Sequence, residues 1–263
     1  MIGLVVTVVS ASVVSMFMAW TIGAGSSGST PFAPAVGANA IKTMTAGFYV
    51  GLLGLFGATL QGANIAEAVG GELVRDVTLS PTAVIIALFV AGTLMAIGIW
   101  KGYPISSAFV VTGAIIGAGI ALGGSPAWVK YTEVGLMWTV GPIIGVAMSY
   151  FLVKILQGDR FSTQVTVSGI TGLILIIILN VEFYIPPYGM IPISEVFSNL
   201  TFDSFIVQAV FTLLASDLVS LYAYHRSSSD AEAFMKRFLA IIGSMVAFSA
   251  GVSQVGLAVG PLI

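Results

Sequence analysis

An all-α integral membrane protein with about eight transmembrane spans, some of its helices broken or re-entrant, is the fold this sequence predicts, on three observations. Of its 263 residues 57% are apolar and only 8% charged, for a mean hydropathy of +1.06. That is too little polar surface to solubilise a globular domain of this size. Apolar runs close to the ~20 residues of one bilayer crossing recur along the chain. Finally, a Gly/Ser/Pro-rich stretch at 23–38, GAGSSGSTPFAPAVGA, follows an apolar run without one charged side chain, and a fainter copy, AGVSQVGLAVGPL, lies at 250–262. Irregular backbone at membrane depth is tolerated only where protein or a water-filled cavity satisfies its amides.

The predicted spans are 2–22, 44–63, 82–100, 104–123, 134–156, 162–183, 201–224 and 236–258. The first lacks the basic flank of a signal peptide and is followed by further spans, so it reads as a retained helix. With the N-terminus outside, alternation places Lys42, Lys101, Lys154, Arg160, Arg226, Lys236 and Arg237 on the cytoplasmic side and only Arg75 and Lys130 outside. That distribution satisfies the positive-inside rule. Trp20, Trp100, Trp128 and Tyr131 fall near span ends, where amphipathic rings favour the interface. The proline-rich EFYIPPYGMIPISE at 182–195 predicts an outer loop.

The longest polar run, HRSSSDAEAFMKR at 225–237, predicts a cytoplasmic linker dividing two repeats. The expected organisation is therefore 1–224 as first repeat plus connecting spans, 225–235 as linker and 236–263 as the start of a second repeat. The span before the first Gly/Ser motif runs outside to inside and the span carrying the second runs inside to outside. The motifs are thus inverted, which predicts an inverted-repeat transporter with an incomplete second repeat.

The chemistry follows from residue types. In the first motif Ser26, Ser27, Ser29 and Thr30 set four hydroxyls beside Gly25 and Gly28, while Pro31 and Pro34 prevent a continuous helix. Free amides at a half-helix start attract an anion through hydrogen bonds and the helix dipole, with no cation required. A kinked helix with its hydroxyls bonded to neighbouring backbone is the alternative reading. In GYPISSAFVVTGAIIGAGIALGG, 102–124, Pro104 opens a span and Ser106 and Ser107 occupy its first turn, as anion ligands or as ordinary N-caps. Gly113 and Gly117 with Ala114 and Ala118 form a small-residue packing face.

Asp217 is the sole carboxylate well within a predicted span. Placed towards the cytoplasmic end, it reads as hydrated or paired with Arg226, against a role in cation or proton binding. Gln61 and Asn64 read as interhelical hydrogen-bonding groups and His225 as a loop residue. There is no cysteine, no histidine pair for a metal, no phosphate-binding loop and no nucleophile beside a base, so an enzyme is not expected. The nine Lys and Arg are scattered and form no basic stripe for nucleic acid.

The order of motifs resembles the inorganic phosphate transporter (PiT) family, with its GANDVANAxGTSVG-type signature in each of two inverted repeats and a PVSTTH-type segment followed by GAIIG. Here YPISSAF at 103–109 is followed by GAIIGAG at 113–119, by Ala127-Trp128 and by MWTVGPIIG at 137–145, and VAFSAGVSQVGLAVGPL at 246–262 is similar to the second signature. Where the family carries Asn-Asp, this chain has Ser26-Ser27 and Ser253-Gln254. The resemblance implies transport of inorganic phosphate, or a related tetrahedral oxyanion such as sulfate, across the cell membrane by ion-coupled alternating access. A channel or carrier for another solute, or a non-transporting subunit, is the alternative.

The site it implies sets Ser26, Ser27, Ser29 and Thr30 opposite Ser253 and Gln254, with Ser106 and Ser107 completing the anion's shell. No metal or organic cofactor is implied, and the coupling ion is Na+ or H+. The succession stops at Ile263 inside the second signature, so the expectation is little more than one repeat: a fragment, a split protein completed by a partner chain, or a shortened form that makes a homodimer.

Overall fold

The computed structural model describes residues 2–27, 30–71, 73–157, 162–185, 189–196 and 205–260. Helix α1 (Ile2–Ile22) runs into a π-helical turn at Gly23–Ser27 and is followed by the short α2 (Ala33–Gly37) and the long α3 (Thr43–Gly71). Then come β1 (Val74–Arg75), α4 (Pro81–Lys101), α5 (Ser107–Ala121), β2 (Ser125–Pro126), α6 (Trp128–Gln157) and α7 (Thr163–Asn180). A hairpin of β3 (Glu182–Ile185) and β4 (Gly189–Pro192), α8 (Phe205–Ser229) and α9 (Ala231–Val259) complete the described chain. Among the described residues seven helices are long and apolar enough to cross a membrane, so this is a multi-pass membrane protein.

The chain divides into two compact units, Met1–Met137 with Leu239–Ile263, and Trp138–Phe238. In the first, α4 is the hub. Its Val84, Leu88, Ala91 and Met95 are buried against Met18 and Ile22 of α1, Val111 and Ile115 of α5, and Leu257 and Ala258 of α9. Since lipid is as apolar as these side chains, close packing rather than escape from water holds such helices together. Gly92 shows how close: a Cβ there would lie 2.8 Å from the Phe17 ring of α1.

The ends of α4 and α5 follow from local chemistry. Ser80 caps α4 by accepting from the Ala83 amide, Pro81 occupies its first turn, and Gly102 reverses the chain at φ 72°. Extended residues 103–106 then lead to α5, which begins only after Ser106 and is followed by Gly123 at φ 89°. The predicted span 104–123 is therefore a 15-residue helix. At ~1.5 Å per residue it covers about 22 Å, short of a ~30 Å hydrocarbon core.

The antiparallel pairing of β1 with β2 and the 2.8 Å bond from Tyr131 Oη to the Leu73 carbonyl oxygen join the loop after α3 to the loop after α5. Thus α4 and α5 leave and return to one side, the arrangement that puts Arg75 and Lys130 together. Elsewhere in this unit α3 meets α9 at glycines. A Cβ on Gly251 would overlap the Gly54 carbonyl oxygen, and one on Gly57 would overlap that of Phe248.

The second unit is built on α7 and α8, which run antiparallel with hydroxyls between them. Ser216 Oγ donates to the Gly172 carbonyl oxygen at 2.8 Å, and a Cβ on Gly172 would overlap the Ser220 hydroxyl. At the β-hairpin end the Asn180 amide Nδ2 donates to Thr212 Oγ1 (3.4 Å) and Ser194 Oγ donates to Asn180 Oδ1 (3.2 Å).

Two expectations change here. The polar run 225–237 is helical on both sides of Asp230, whose carboxylate caps α9 by accepting from the Ala233 amide at 3.0 Å. The second Gly/Ser segment is no break either, because α9 runs through Gly251 and Ser253 to Val259. The reason is proline: the first motif meets Pro31 and Pro34 within a turn of its glycines and serines, whereas the second has none before 261.

Candidate functional site

Everything from the two motifs that the structure brings together lies in the first unit. The π turn at Gly23–Ser27 widens the end of α1, so its backbone groups fall out of step with the regular helical ladder. On one side is a cavity of about 340 Å³ bounded by Ala24 and Gly25, by Gly98 and Ile99 of α4, and by Tyr103 and Ile105. A second cavity, of about 480 Å³, has Gly23, Gly54 of α3, and Ala250, Gly251 and Gln254 of α9 in its wall. Either volume is on the order of ten times the ~30 Å³ share of a water molecule. Among the described residues, none that lines either cavity is charged.

Ser107 and Gln254 are 147 positions apart and meet directly. Ser107 Oγ donates to Gln254 Oε1 at 3.0 Å, with Ser107 only 8% exposed. The bond joins the first turn of α5 to the second Gly/Ser segment. It also leaves the Gln254 Nε2 hydrogens as donors beside the larger cavity.

The remaining candidate residues are placed differently. Ser106 is the N-cap of α5 and accepts from the Phe109 amide at 3.4 Å. Ser253 is exposed and donates to the Ala250 carbonyl oxygen of its own helix at 3.2 Å. The backbone of Ser26 and Ser27 belongs to the π turn, and Ser29 lies outside the described residues. Thr30 is exposed, and its carbonyl oxygen accepts from the Ala33 amide at 3.2 Å. Among the described residues there is no group of three or more His, Cys, Asp or Glu that could hold a metal ion.

The walls contributed by Gly98, Tyr103 and Ile105 were not among the candidates. A Cβ on Gly98 would overlap Ile105, so that glycine is what lets the chain fold back over α4. The spacing Gly98, Gly102, Pro104 is the sequence signal for that turn.

Asp217 also moves. Because α8 continues to Ser229, this carboxylate lies at the centre of the span Phe205–Ser228, not near its cytoplasmic end. Arg226 is further along the same helix by about 13.5 Å at ~1.5 Å per residue, and Asp217 has no ion pair or hydrogen bond among the described residues.

Known proteins are similar to this chain in sequence and in fold. The family model described as the phosphate transporter family matches residues 22–263. A protein of Thermococcus kodakarensis that carries the name phosphate permease is 33% identical over 159 residues, 58% of this chain and 39% of its own length. A Pyrococcus furiosus protein so named is 26% identical over 259 residues, 93% of this chain and 62% of the relative. The chain thus spans less than two thirds of either relative. A solved structure titled as the sodium-dependent phosphate transporter has the same fold, with a TM-score of 0.74 over 98% of this chain and 66% of that one at 21% identity. With its motifs in the expected order and the family match extending from Ile22 through both of them, this chain belongs to the phosphate transporter family.

Proposed function

We propose that this chain carries inorganic phosphate, or a related tetrahedral oxyanion such as sulfate, across the membrane by ion-coupled alternating access, as a carrier and not as an enzyme. The observation that supports the reading most directly is the hydrogen bond between Ser107 and Gln254. It couples the first turn of α5 to the helix bearing the second motif, beside a cavity that the π turn also borders. With no charged side chain among the described residues of the cavity walls, the anion would be held by neutral donors: amides at the π turn, the hydroxyls of Ser26, Ser27, Ser29 and Thr30, the Ser107 hydroxyl and the Gln254 amide. Such donors bind an oxyanion without the tight grip of a buried cation. Ser106 and Ser253 adjoin Ser107 and Gln254 in sequence, with their hydroxyls bonded to their own helical segments. Sodium or protons would supply the driving gradient.

The test is uptake of labelled phosphate into proteoliposomes under separate sodium and proton gradients, with sulfate as competitor. Saturable uptake that one gradient drives, with a KM that Gln254→Leu raises about three- to tenfold, is expected. Uptake unchanged by joint alanine replacement of Ser26 and Ser27, and by Gln254→Leu, would remove the assignment.

A further inference from the structure

The buried residues of α5, Ser107, Val111, Ile115 and Gly119, recur at every fourth position and form one row of the helix. Ser107 stands at one end of that row and Gly119 at the other, about 18 Å away at ~1.5 Å per residue. Before Ser106 the chain is extended, so no helical turn fixes the height of Ser107 from that side. The far end of the helix is where it is held.

That end closes through two hydrogen bonds. The Gly123 amide, at φ 89°, donates to the Ile120 carbonyl oxygen at 2.9 Å, and the Gly124 amide donates to that of Gly119 at 3.0 Å. A hydrophobic contact between the side chains at the positions of 119 and 124 frequently accompanies such a helix end. Here both are glycines, and a side chain from another segment takes the space. A Cβ on Gly119 would overlap Val74 Cγ2, and a Cβ on Gly124 would overlap Val74 Cγ1. The two methyls of Val74 thus stand where the two side chains of α5 would meet. The wedge is itself tethered, because Val74 pairs with Pro126 in the β1–β2 ladder and the buried Leu73 accepts from Tyr131 Oη at 2.8 Å.

We propose that Val74 is a positioning residue: by filling the notch between Gly119 and Gly124 it holds α5 at the height at which Ser107 meets Gln254. Its consequence for uptake rests on the function proposed above.

Val74→Ala empties the notch and leaves the β1 backbone in place. The protein has no cysteine, so Ser107→Cys and Thr21→Cys, at positions 8% and 0% exposed, report separately on the start of α5 and on the core of the same unit. In membranes, Val74→Ala is expected to speed labelling of Ser107→Cys by a small methanethiosulfonate reagent about fivefold or more, with Thr21→Cys within about twofold of its parent rate. Val74→Thr keeps the branched shape and should leave both rates near the parent's. In phosphate uptake Val74→Ala should raise the KM about threefold with the maximal rate little changed, and by less than about 1.5-fold in a Ser107→Ala background, because both act through one hydroxyl.

Faster labelling at both cysteines would mean general loosening of the unit, and unchanged labelling of Ser107→Cys would mean that packing of α5 on α4 is enough to place it. Either result overturns the proposal, as does a rise in KM that multiplies with that of Ser107→Ala. Labelling needs no uptake, so the rates decide the role of Val74 even where the parent carries no phosphate, a result that would remove the proposed function alone.

Discussion

The two Gly/Ser-rich segments, 23–38 and 250–262, share a composition and use it in opposite ways. In the first, glycines and serines followed by Pro31 and Pro34 let α1 end in a π turn, and a Cβ on Gly25 would meet nothing closer than Ile99 at 3.6 Å. In the second, α9 stays helical, and the space above Gly251 is filled by the backbone of Gly54. One segment uses its glycines for conformation and the other for proximity. Membrane helices can do both because small residues let backbones approach, while only proline removes the amide that a helix needs.

That contrast can be broken most forcefully at Gly251. Replacement by Ala should cost about 1–3 kcal/mol, more than the ~1 kcal/mol that Ala adds to helix propensity, and thermal unfolding in detergent should show it as a clear fall in Tm. Gly25→Ala should be neutral to within about 1 kcal/mol in the same measurement, because its neighbour is in ordinary contact. Equal losses at the two glycines would erase the distinction.

The Ser107–Gln254 pair is the next largest effect. Ser107→Ala and Gln254→Leu should each destabilise, with a coupling of about 0.5–1.5 kcal/mol in a double-mutant cycle. A loss of that size in anion binding corresponds to a roughly three- to tenfold rise in the KM for uptake. Additive stabilities with unchanged uptake would reduce the bond to incidental contact.

Ser106→Ala removes only the cap of α5, so a stability loss of about 1 kcal/mol is expected, with Ser106→Asp restoring it. The KM for uptake should stay within about twofold, unlike that of the Ser107 variant, because a change near 0.4 kcal/mol is too small to alter it further. The smallest effect belongs to Ser253→Ala, whose hydroxyl bonds only within its own helix. Its stability should change by less than about 0.5 kcal/mol.

Much of the architecture is legible in residue types. Apolar runs gave the helices α1, α3, α4, α6, α7, α8 and α9, whereas Pro104, read as opening a span, lies two residues before the Ser106 cap of α5. Less legible was length. Pro104 and Gly123 bracket a 15-residue helix inside a 20-residue apolar run, because turn chemistry, not hydropathy, decides where a helix stops. At 225–237 polarity suggested a loop, yet Ser, Ala and Glu propagate a helix once Asp230 caps it.

Sequence alone determined that the chain lies in a membrane and which of its segments are apolar enough to cross it. These are properties of composition and periodicity, fixed residue by residue. Tertiary structure decided which polar groups meet. Ser106 and Ser107 are adjacent and chemically identical, but successive residues at a helix start point about 100° apart, so one hydroxyl turns back to cap its own helix and the other reaches Gln254 on α9. The surroundings of Asp217 were decided the same way: its neighbour Ser216 is buried and bonds to Gly172 of α7, while Asp217 itself is exposed, and only the packing of α8 on α7 reveals which residue faces which way.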